Sequence, residues 1–107
     1  MNDLLRHILD EIDYLLDQRG RREKADLLSD GTLQRAFSRS IEIIGEAAKQ
    51  LPADFRRDHS EIPWKAIAGM RDRLIHGYFA VDYEIVWDVV ENKLPELRPK
   101  IAALLPD

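Results

Sequence analysis

The feature that most limits the possible folds is the stretch 32–51, which carries two apolar stripes at helical spacing. Apolar residues recur there at steps of three and four, the period of an α-helix. A helix that is apolar on two sides needs neighbours on both sides. The first stripe is Leu33, Phe37, Ile41, Ile44, Ala48 and Leu51, and the second is Ala36, Ile43 and Ala47. This segment is therefore expected to pack between other helices.

The segments around this helix are also predicted to be helical, with turn residues between them. Residues 3–18 form one apolar face with acidic residues interspersed, and Gly20 is the expected end of that helix. A short helical piece is predicted over residues 22–28, and the polar residues 29–32 indicate a turn and a helix start. Pro52 ends the central helix, because proline lacks the backbone donor that a helix interior needs.

Two more helical segments complete the chain. Residues 63–76 predict a third helix, with a proline at its first position and Gly77 at its end. Asp82 is a favourable N-cap for the last segment, and Pro95 should kink or split it. β-branched residues over 81–90 would also suit a strand, but the i, i+4 spacing favours a helix. The residues expected to pack inward are Ile85, Val86, Val89 and Val90.

These segments together predict an all-α fold. We expect an up-and-down four-helix-type bundle with short additional helices, formed by a single domain over residues 1–107. A chain of 107 residues builds a modest core, so a helical protein with two-sided apolar faces would gain from a partner. A homodimer is therefore expected.

Composition excludes several classes of function. The chain has no cysteine, which rules out disulfides, thiolate metal sites and a cysteine nucleophile, and indicates a reducing compartment. Acidic residues interrupt the apolar ones at the N-terminus, so no signal peptide is predicted. No apolar run is long enough to cross a bilayer. We therefore expect a cytoplasmic protein that makes no membrane contact.

The charge balance limits how the protein could bind nucleic acid. The net charge is −4, whereas a protein that relies on non-specific attraction to phosphates should be basic. Any RNA contact must therefore be local. The candidates are the basic cluster at 19–24, which contains Arg21 and Arg22, and the arginines Arg56, Arg57, Arg71 and Arg73. A solvated basic turn is the simpler interpretation of the cluster that contains Arg21 and Arg22.

The residues that can carry chemistry lie together in the run Arg-Asp-Arg-Leu-Ile-His-Gly-Tyr at 71–78. His76 can move a proton near neutral pH, and the guanidinium of Arg71 can hold two phosphate oxygens. RNA cleavage through the 2′-hydroxyl needs a base for that hydroxyl and an acid for the leaving oxygen. One histidine supplies one such group, so a two-fold dimer that brings two copies of Arg71 and His76 into one cleft would complete the set.

Each of these residues also has a structural interpretation. Arg71 falls within the apolar stripe of the third helix, where a buried salt bridge to Glu46 would accommodate it. His76 could interact with the helix dipole, and Tyr78 could be a half-buried aromatic residue with a solvated hydroxyl. If His76 continues the helix, five residues turn it about 140° away from Arg71, so convergence depends on how the helix ends.

A metal site and a cofactor are not expected. The three histidines lie on separate segments, without the spacing of a metal-binding pair. Asp10, Asp13 and Asp17 share one helix face that could hold a weak cation, but a solvated acidic face is more common. Gly45 is flanked by helix-forming residues and indicates close packing between helices.

Arg71-x-x-x-x-His76-x-Tyr78 and its flanking sequence resemble the HepT-like toxins of the HEPN superfamily. The resemblance spans nearly the whole chain, and the ordered set of motifs is more specific than the short signature. The flanking runs are Ile-Ile-Gly-Glu-Ala-Ala-Lys at 43–49, Ile-Pro-Trp at 62–64, Gly-Met-Arg at 69–71 and Val-Asp-Tyr-Glu-Ile-Val-Trp at 81–87.

The resemblance implies a small all-α dimer in which the motifs of both subunits line a cleft. It also implies a metal-independent endoribonuclease toxin, with Arg71 and His76 matching the catalytic pair and Asp72 matching the polar residue after the arginine. Tyr78 matches the tyrosine that a minimal nucleotidyltransferase antitoxin modifies with AMP, and the added negative charge would repel RNA. The alternatives are a non-catalytic HEPN module that binds a nucleotide or docks a nucleotidyltransferase, and a purely structural helical dimer.

Overall fold

Two long antiparallel helices form the frame of the protein. The computed structural model describes residues 1–76 and 80–106. It also describes their side chains, except those of Ile75, His76 and Ala80 in two short strands. Helix α1 (Asn2–Arg21) packs along α3 (Gly31–Gln50), and α2 (Lys24–Ser29) lies between them in the chain. The connection is too short to return along a helix of about 30 Å, so α1 and α3 run in opposite directions.

The predicted position of α3 between neighbours is confirmed. Helix α1 lies against one side of α3, and the segment after residue 63 lies against another. Every residue of its first apolar stripe is buried. In the second stripe Ala47 is buried, whereas Ala36 and Ile43 are partly exposed. Asp30 caps the helix by accepting hydrogen bonds from two backbone N–H groups of its first turn, and Pro52 follows its end.

The third helical segment is interrupted, which corrects the expected continuous helix over 63–76. After α4 (Ala53–Asp58), the chain forms α5 (Trp64–Ala68) and α6 (Met70–Leu74), with Gly69 between them. Glycine costs about 1 kcal/mol relative to alanine inside a helix, so the break falls where the helix is weakest. The proline at 63 immediately precedes α5 instead of occupying its first position.

Helix α6 ends before the predicted stop because the chain changes to extended backbone. Strand β1 (Ile75–His76) pairs antiparallel with β2 (Ala80–Val81), with Ile75 opposite Val81. β-branched residues at both of those positions favour an extended conformation. The prediction that the third helix reaches His76 is therefore wrong, and Gly77 lies outside the described residues. Two strands of two residues leave the fold class all-α, as predicted.

The last helical segment is divided close to the position where the sequence predicts a split. Helix α7 (Tyr83–Asp88) begins at Asp82, whose carboxylate accepts hydrogen bonds from two backbone N–H groups of the first turn. A π-helical turn (Val89–Lys93) follows, and α8 (Leu94–Ala102) completes the segment. Pro95 lies in the first turn of α8, where its missing donor is tolerated. The expected cap and the expected break are both confirmed.

Buried residues from all the main segments form one hydrophobic cluster. An ion pair closes the bundle, because the guanidinium of Arg98 on α8 donates two hydrogen bonds to the carboxylate of Asp13 on α1. The hydrogen bonding and charge of Asp13 raise the pKa of Arg98 above its ordinary value. Within residues 1–76 and 80–106, no helix has the length and apolar character needed to cross a membrane.

Candidate functional site

Arg71 lies on α6 with its side chain at the surface. The side chain is 47% exposed, and its Nη1 donates a 3.4 Å hydrogen bond to Oδ1 of Asp72. Glu46, the partner considered in the buried salt bridge, is itself exposed and lies 4.0 Å from Lys49. The interpretation of Arg71 as one half of a buried salt bridge is therefore wrong. Because an exposed pair of neighbouring residues holds an arginine weakly, the guanidinium of Arg71 can exchange Asp72 for another partner.

Close packing against α3 positions the helix that carries Arg71. A Cβ atom added to Gly45 would lie 3.9 Å from the Cβ of Arg71 and closer still to the backbone at the end of α5. The prediction that Gly45 marks close helix packing is confirmed. The backbone of the α5–α6 segment thus rests directly on α3, which is a rigid support for a surface arginine.

Arg73 supports the break between α5 and α6. Its Nη2 donates a 2.7 Å hydrogen bond to the carbonyl oxygen of Ala66. Ala66 lies in the last turn of α5, where carbonyl groups have no partner within the helix. Sequence reasoning assigned Arg73 to RNA binding and missed this contact. A basic residue just beyond a short helix was the available signal, since such residues often bond to the last carbonyls.

The proton-transfer group of the candidate site follows α6 in the chain. The backbone of His76 belongs to β1, opposite Ala80 of β2, two residues beyond the end of α6. The imidazole of His76 and the whole of Tyr78 lie outside the described residues. Because His76 is not part of the helix, the expected rotation of about 140° from Arg71 does not apply.

The structure separates the other predicted RNA contacts from Arg71. Arg21 bonds to Asp17 and Arg22 bonds to Gln18, each within one turn of α1. These residues lie at the far end of the α1–α3 pair from Gly45, about 20 Å along the helix axes. The basic cluster and Arg71 therefore do not form one local site.

The acidic face of α1 is largely engaged with arginines. Asp13 binds Arg98, and Asp17 binds Arg21. In the part of the chain that the structure describes, no three histidine, aspartate or glutamate side chains lie close enough to hold a metal ion together.

Comparison with known proteins identifies the family. The family model described as "Ribonuclease HepT-like" matches residues 5–104. A Caldanaerobacter subterraneus protein named "Putative RNase" is 48% identical over 94% of this chain and 90% of its own length. A Methanocaldococcus jannaschii protein of the same name is 42% identical over 98% of this chain and 84% of its own length.

A Thermococcus cleftensis protein named "Probable ribonuclease HepT" is 49% identical over 74% of this chain and 72% of its own length. No solved structure matches the chain. The family match covers nearly the whole chain, from α1 to the end of α8, and includes the motif that begins at Arg71. The chain therefore belongs to the Ribonuclease HepT-like family.

Proposed function

We propose that this protein is a metal-independent endoribonuclease. The observation that carries the proposal is the surface position of Arg71, supported by α3 and followed in the chain by His76. A guanidinium that is paired weakly with Asp72 can exchange that contact for the phosphate of an RNA. The names of the relatives, which refer to ribonuclease activity, support the same function.

The proposed reaction is attack by a ribose 2′-hydroxyl on the adjacent phosphorus. His76 takes the proton from that hydroxyl, and a second acid protonates the 5′-oxygen as its bond to phosphorus breaks. The products are a 2′,3′-cyclic phosphate and a free 5′-hydroxyl. Arg71 stabilises the negative charge that accumulates on the phosphoryl oxygens in the transition state. Asp72 would hold Arg71 in place before RNA binds.

A homodimer would supply the second proton-transfer group. Each subunit contributes one His76 at the motif, whereas the reaction needs a base and an acid. A two-fold axis beside α6 would place two Arg71 and two His76 residues on one cleft. We therefore propose that the complete site is shared between two copies of the chain.

The experiment is an RNA cleavage assay with excess EDTA. We expect cleavage by the unaltered protein, none by His76→Ala, and a loss of at least a hundredfold for Arg71→Ala, in the range found for removal of a charge-stabilising donor. Arg35→Ala is the matched control, because Arg35 bonds to the Gly31 carbonyl within α3, away from α6. Cleavage that survives His76→Ala would remove His76 from the mechanism.

We also propose that the protein acts in the cytoplasm as the toxin of a toxin–antitoxin pair and that AMP modification of Tyr78 inhibits it. The Tyr78 oxygen would attack the α-phosphate of ATP, with pyrophosphate leaving. The negative charge of each added AMP would repel the RNA backbone that Arg71 is proposed to bind. Incubation with a minimal nucleotidyltransferase and ATP should add AMP mass to the protein and suppress cleavage, whereas Tyr78→Phe should remain unmodified and active.

The non-catalytic alternative makes a different prediction in the same assay. A module that only binds a nucleotide or docks a nucleotidyltransferase would bind its partner and cut no RNA. Circular dichroism of each variant confirms that lost cleavage does not reflect lost folding.

A further inference from the structure

A groove of about 520 Å³ opens between the α5–α6 segment and the α7–α8 segment, and Arg71 is not among its lining residues. Its walls are mainly aliphatic. Met70 and Leu74 lie on the α6 wall, and Val89 and Leu97 lie on the opposite wall. An opening of this size lined by aliphatic side chains is suited to bind the apolar face of another molecule.

The rim of the groove exposes a large aliphatic side chain. Ile85 on α7 is 48% exposed and lines the groove, while the following residues Val86 and Trp87 are buried. The expectation that Ile85 packs inward is therefore wrong. The segments that pack against α7 cover only part of its apolar face, and the uncovered part faces the groove. The adjacent wall contains the π-helical turn (Val89–Lys93), a feature that is frequent at functional sites.

Positive charges surround this aliphatic surface on both walls. Arg73 stands on the α6 wall, whereas Lys93, at the end of the π-helical turn, and Lys100, on α8, stand on the opposite wall. Lys93 and Lys100 are seven residues apart, which is about 10 Å along the helix. Glu96 is the one acidic residue among the described residues of the lining. The groove is thus locally basic in a chain with a net charge of −4.

This distribution of charge indicates the shape of the occupant. The cations lie on two walls, with Lys93 and Lys100 about two helical turns apart, which suits a row of acidic groups better than the head group of one small anion. None of the described lining residues is aromatic, which disfavours a stacked RNA base. A second copy of the chain could offer the acidic face of α1, but most of the large aliphatic residues of that helix are buried in its own core, namely Leu5, Ile8, Leu9, Ile12 and Leu15.

We propose that the groove is the docking site for an amphipathic helix of another protein, with aliphatic residues on its inner face and acidic residues along both flanks. Such a helix fills the groove with side chains at i, i+3, i+4 and i+7, a recurrent mode of peptide recognition. Its flanking carboxylates meet Lys93 and Lys100 on one side and Arg73 on the other. The docked helix contacts α6, the helix that also carries Arg71. The proposal stands independently of the nuclease reaction.

The test uses a panel of fluorescently labelled helical peptides, each about 18 residues long so that the isolated helix can form. The peptides share aliphatic residues at the four spaced positions, in varied combinations, and carry either glutamates or lysines on the flanks. Binding to the full-length protein is measured by fluorescence anisotropy. We expect members of the glutamate series to bind at least tenfold more tightly than their lysine counterparts. No binding, or equal binding of the two series, would overturn the proposal.

Substitutions on the protein identify the surface. Ile85→Asp should abolish binding, and because Ile85 is exposed the variant should keep its fold. The double charge reversal Lys93→Glu with Lys100→Glu should weaken the glutamate peptides about three- to tenfold, as expected for exposed ion pairs, and strengthen the lysine peptides. Lys49→Glu, on the exposed face of α3, is the control and should leave both affinities unchanged.

Two further results would overturn the proposal. Peptide binding that persists unchanged in Ile85→Asp would place the peptide elsewhere on the protein. Conversion of a dimer to a monomer by Ile85→Asp, seen by analytical ultracentrifugation, would show that a second copy of the chain covers the groove. Both results concern the Ile85→Asp variant, whereas the nuclease proposal is tested on the unaltered protein, His76→Ala and Arg71→Ala, so the two proposals fail separately.

Discussion

A Cβ atom placed on Gly45 of α3 would lie 3.3 Å from the carbonyl oxygen of Ala68, the last residue of α5. The two backbones are therefore almost in contact at the break between α5 and α6. Because this contact is backbone against backbone, it does not depend on side-chain rotamers. This contact fixes the distance between α3 and α6, the helix that carries Arg71.

The first prediction compares two glycines within long helices. Gly20 has nothing within 4 Å of an added Cβ, so Gly20→Ala should raise the free energy of unfolding by up to about 1 kcal/mol. At Gly45 the same gain in helix propensity is opposed by the Ala68 carbonyl, which moves only if α5 moves. We expect Gly45→Ala to be less stable than Gly20→Ala by about 1 kcal/mol or more in urea unfolding. Equal stabilisation would mean that α5 shifts freely.

The second prediction concerns the N-cap of α7. Asp82 Oδ1 accepts hydrogen bonds from the N–H groups of Glu84 and Ile85, at 3.1 and 3.2 Å. Asp82→Ala should lower the free energy of unfolding by about 1 kcal/mol, whereas Asp82→Asn, which keeps an oxygen acceptor, should cost much less. Chemical denaturation measures both. A similar loss of stability in the two variants would show that the charge of Asp82, and not its capping hydrogen bonds, stabilises the protein.

The third prediction concerns Ser40, the buried polar residue among those that the structure describes. Its hydroxyl donates a 2.8 Å hydrogen bond to Oε1 of Glu11 and joins α3 to α1. Ser40→Ala should destabilise the protein by about 1–3 kcal/mol, because the half-buried carboxylate loses a donor. Ser29→Ala is the control, since the exposed hydroxyl of Ser29 bonds to a carbonyl of its own helix and should contribute little. Thermal unfolding that gives the same loss for both would contradict this prediction.

The fourth prediction separates the candidate RNA contacts by distance and charge. Arg71→Gln should weaken RNA binding and reduce the slope of log affinity against log salt by about 0.7 for a single strand. Arg21→Gln with Arg22→Gln should weaken binding of a long RNA and leave a dinucleotide unaffected, because about 20 Å separates them from Arg71. Fluorescence titration at several salt concentrations gives both slopes. An effect of Arg21 and Arg22 on the dinucleotide would mean that they share a local site with Arg71.

Local signals in the sequence were sufficient where the physical effect is itself local. Asp30 and Asp82 cap helices because a short side-chain carboxylate reaches the free N–H groups of the next turn wherever the rest of the chain lies. Pro95 marks the break before α8 because it lacks a backbone donor. The burial of the first apolar stripe of α3 follows from its period in the same way.

Periodicity failed where two conformations have similar energies over a few residues. Ile75 fits the apolar stripe of a helix and equally fits a strand, and its pairing with Val81 decided in favour of the strand. The same limit applies to Ile85, which belongs to an apolar helical face but lies at its edge. Whether such a residue is covered depends on how far away the opposing helix lies, which one segment does not encode.

The sequence by itself determined the all-α class, the helix caps, the central place of α3 and the family to which the chain belongs. Only the tertiary structure decided that Arg71 lies at the surface with Asp72, that Arg73 bonds to Ala66, and that a basic-rimmed groove opens beside α6. The physical reason is the range of the interactions. Capping and helix periodicity act within one or two turns, whereas exposure, long-range hydrogen bonds and grooves depend on how separate helices pack against one another.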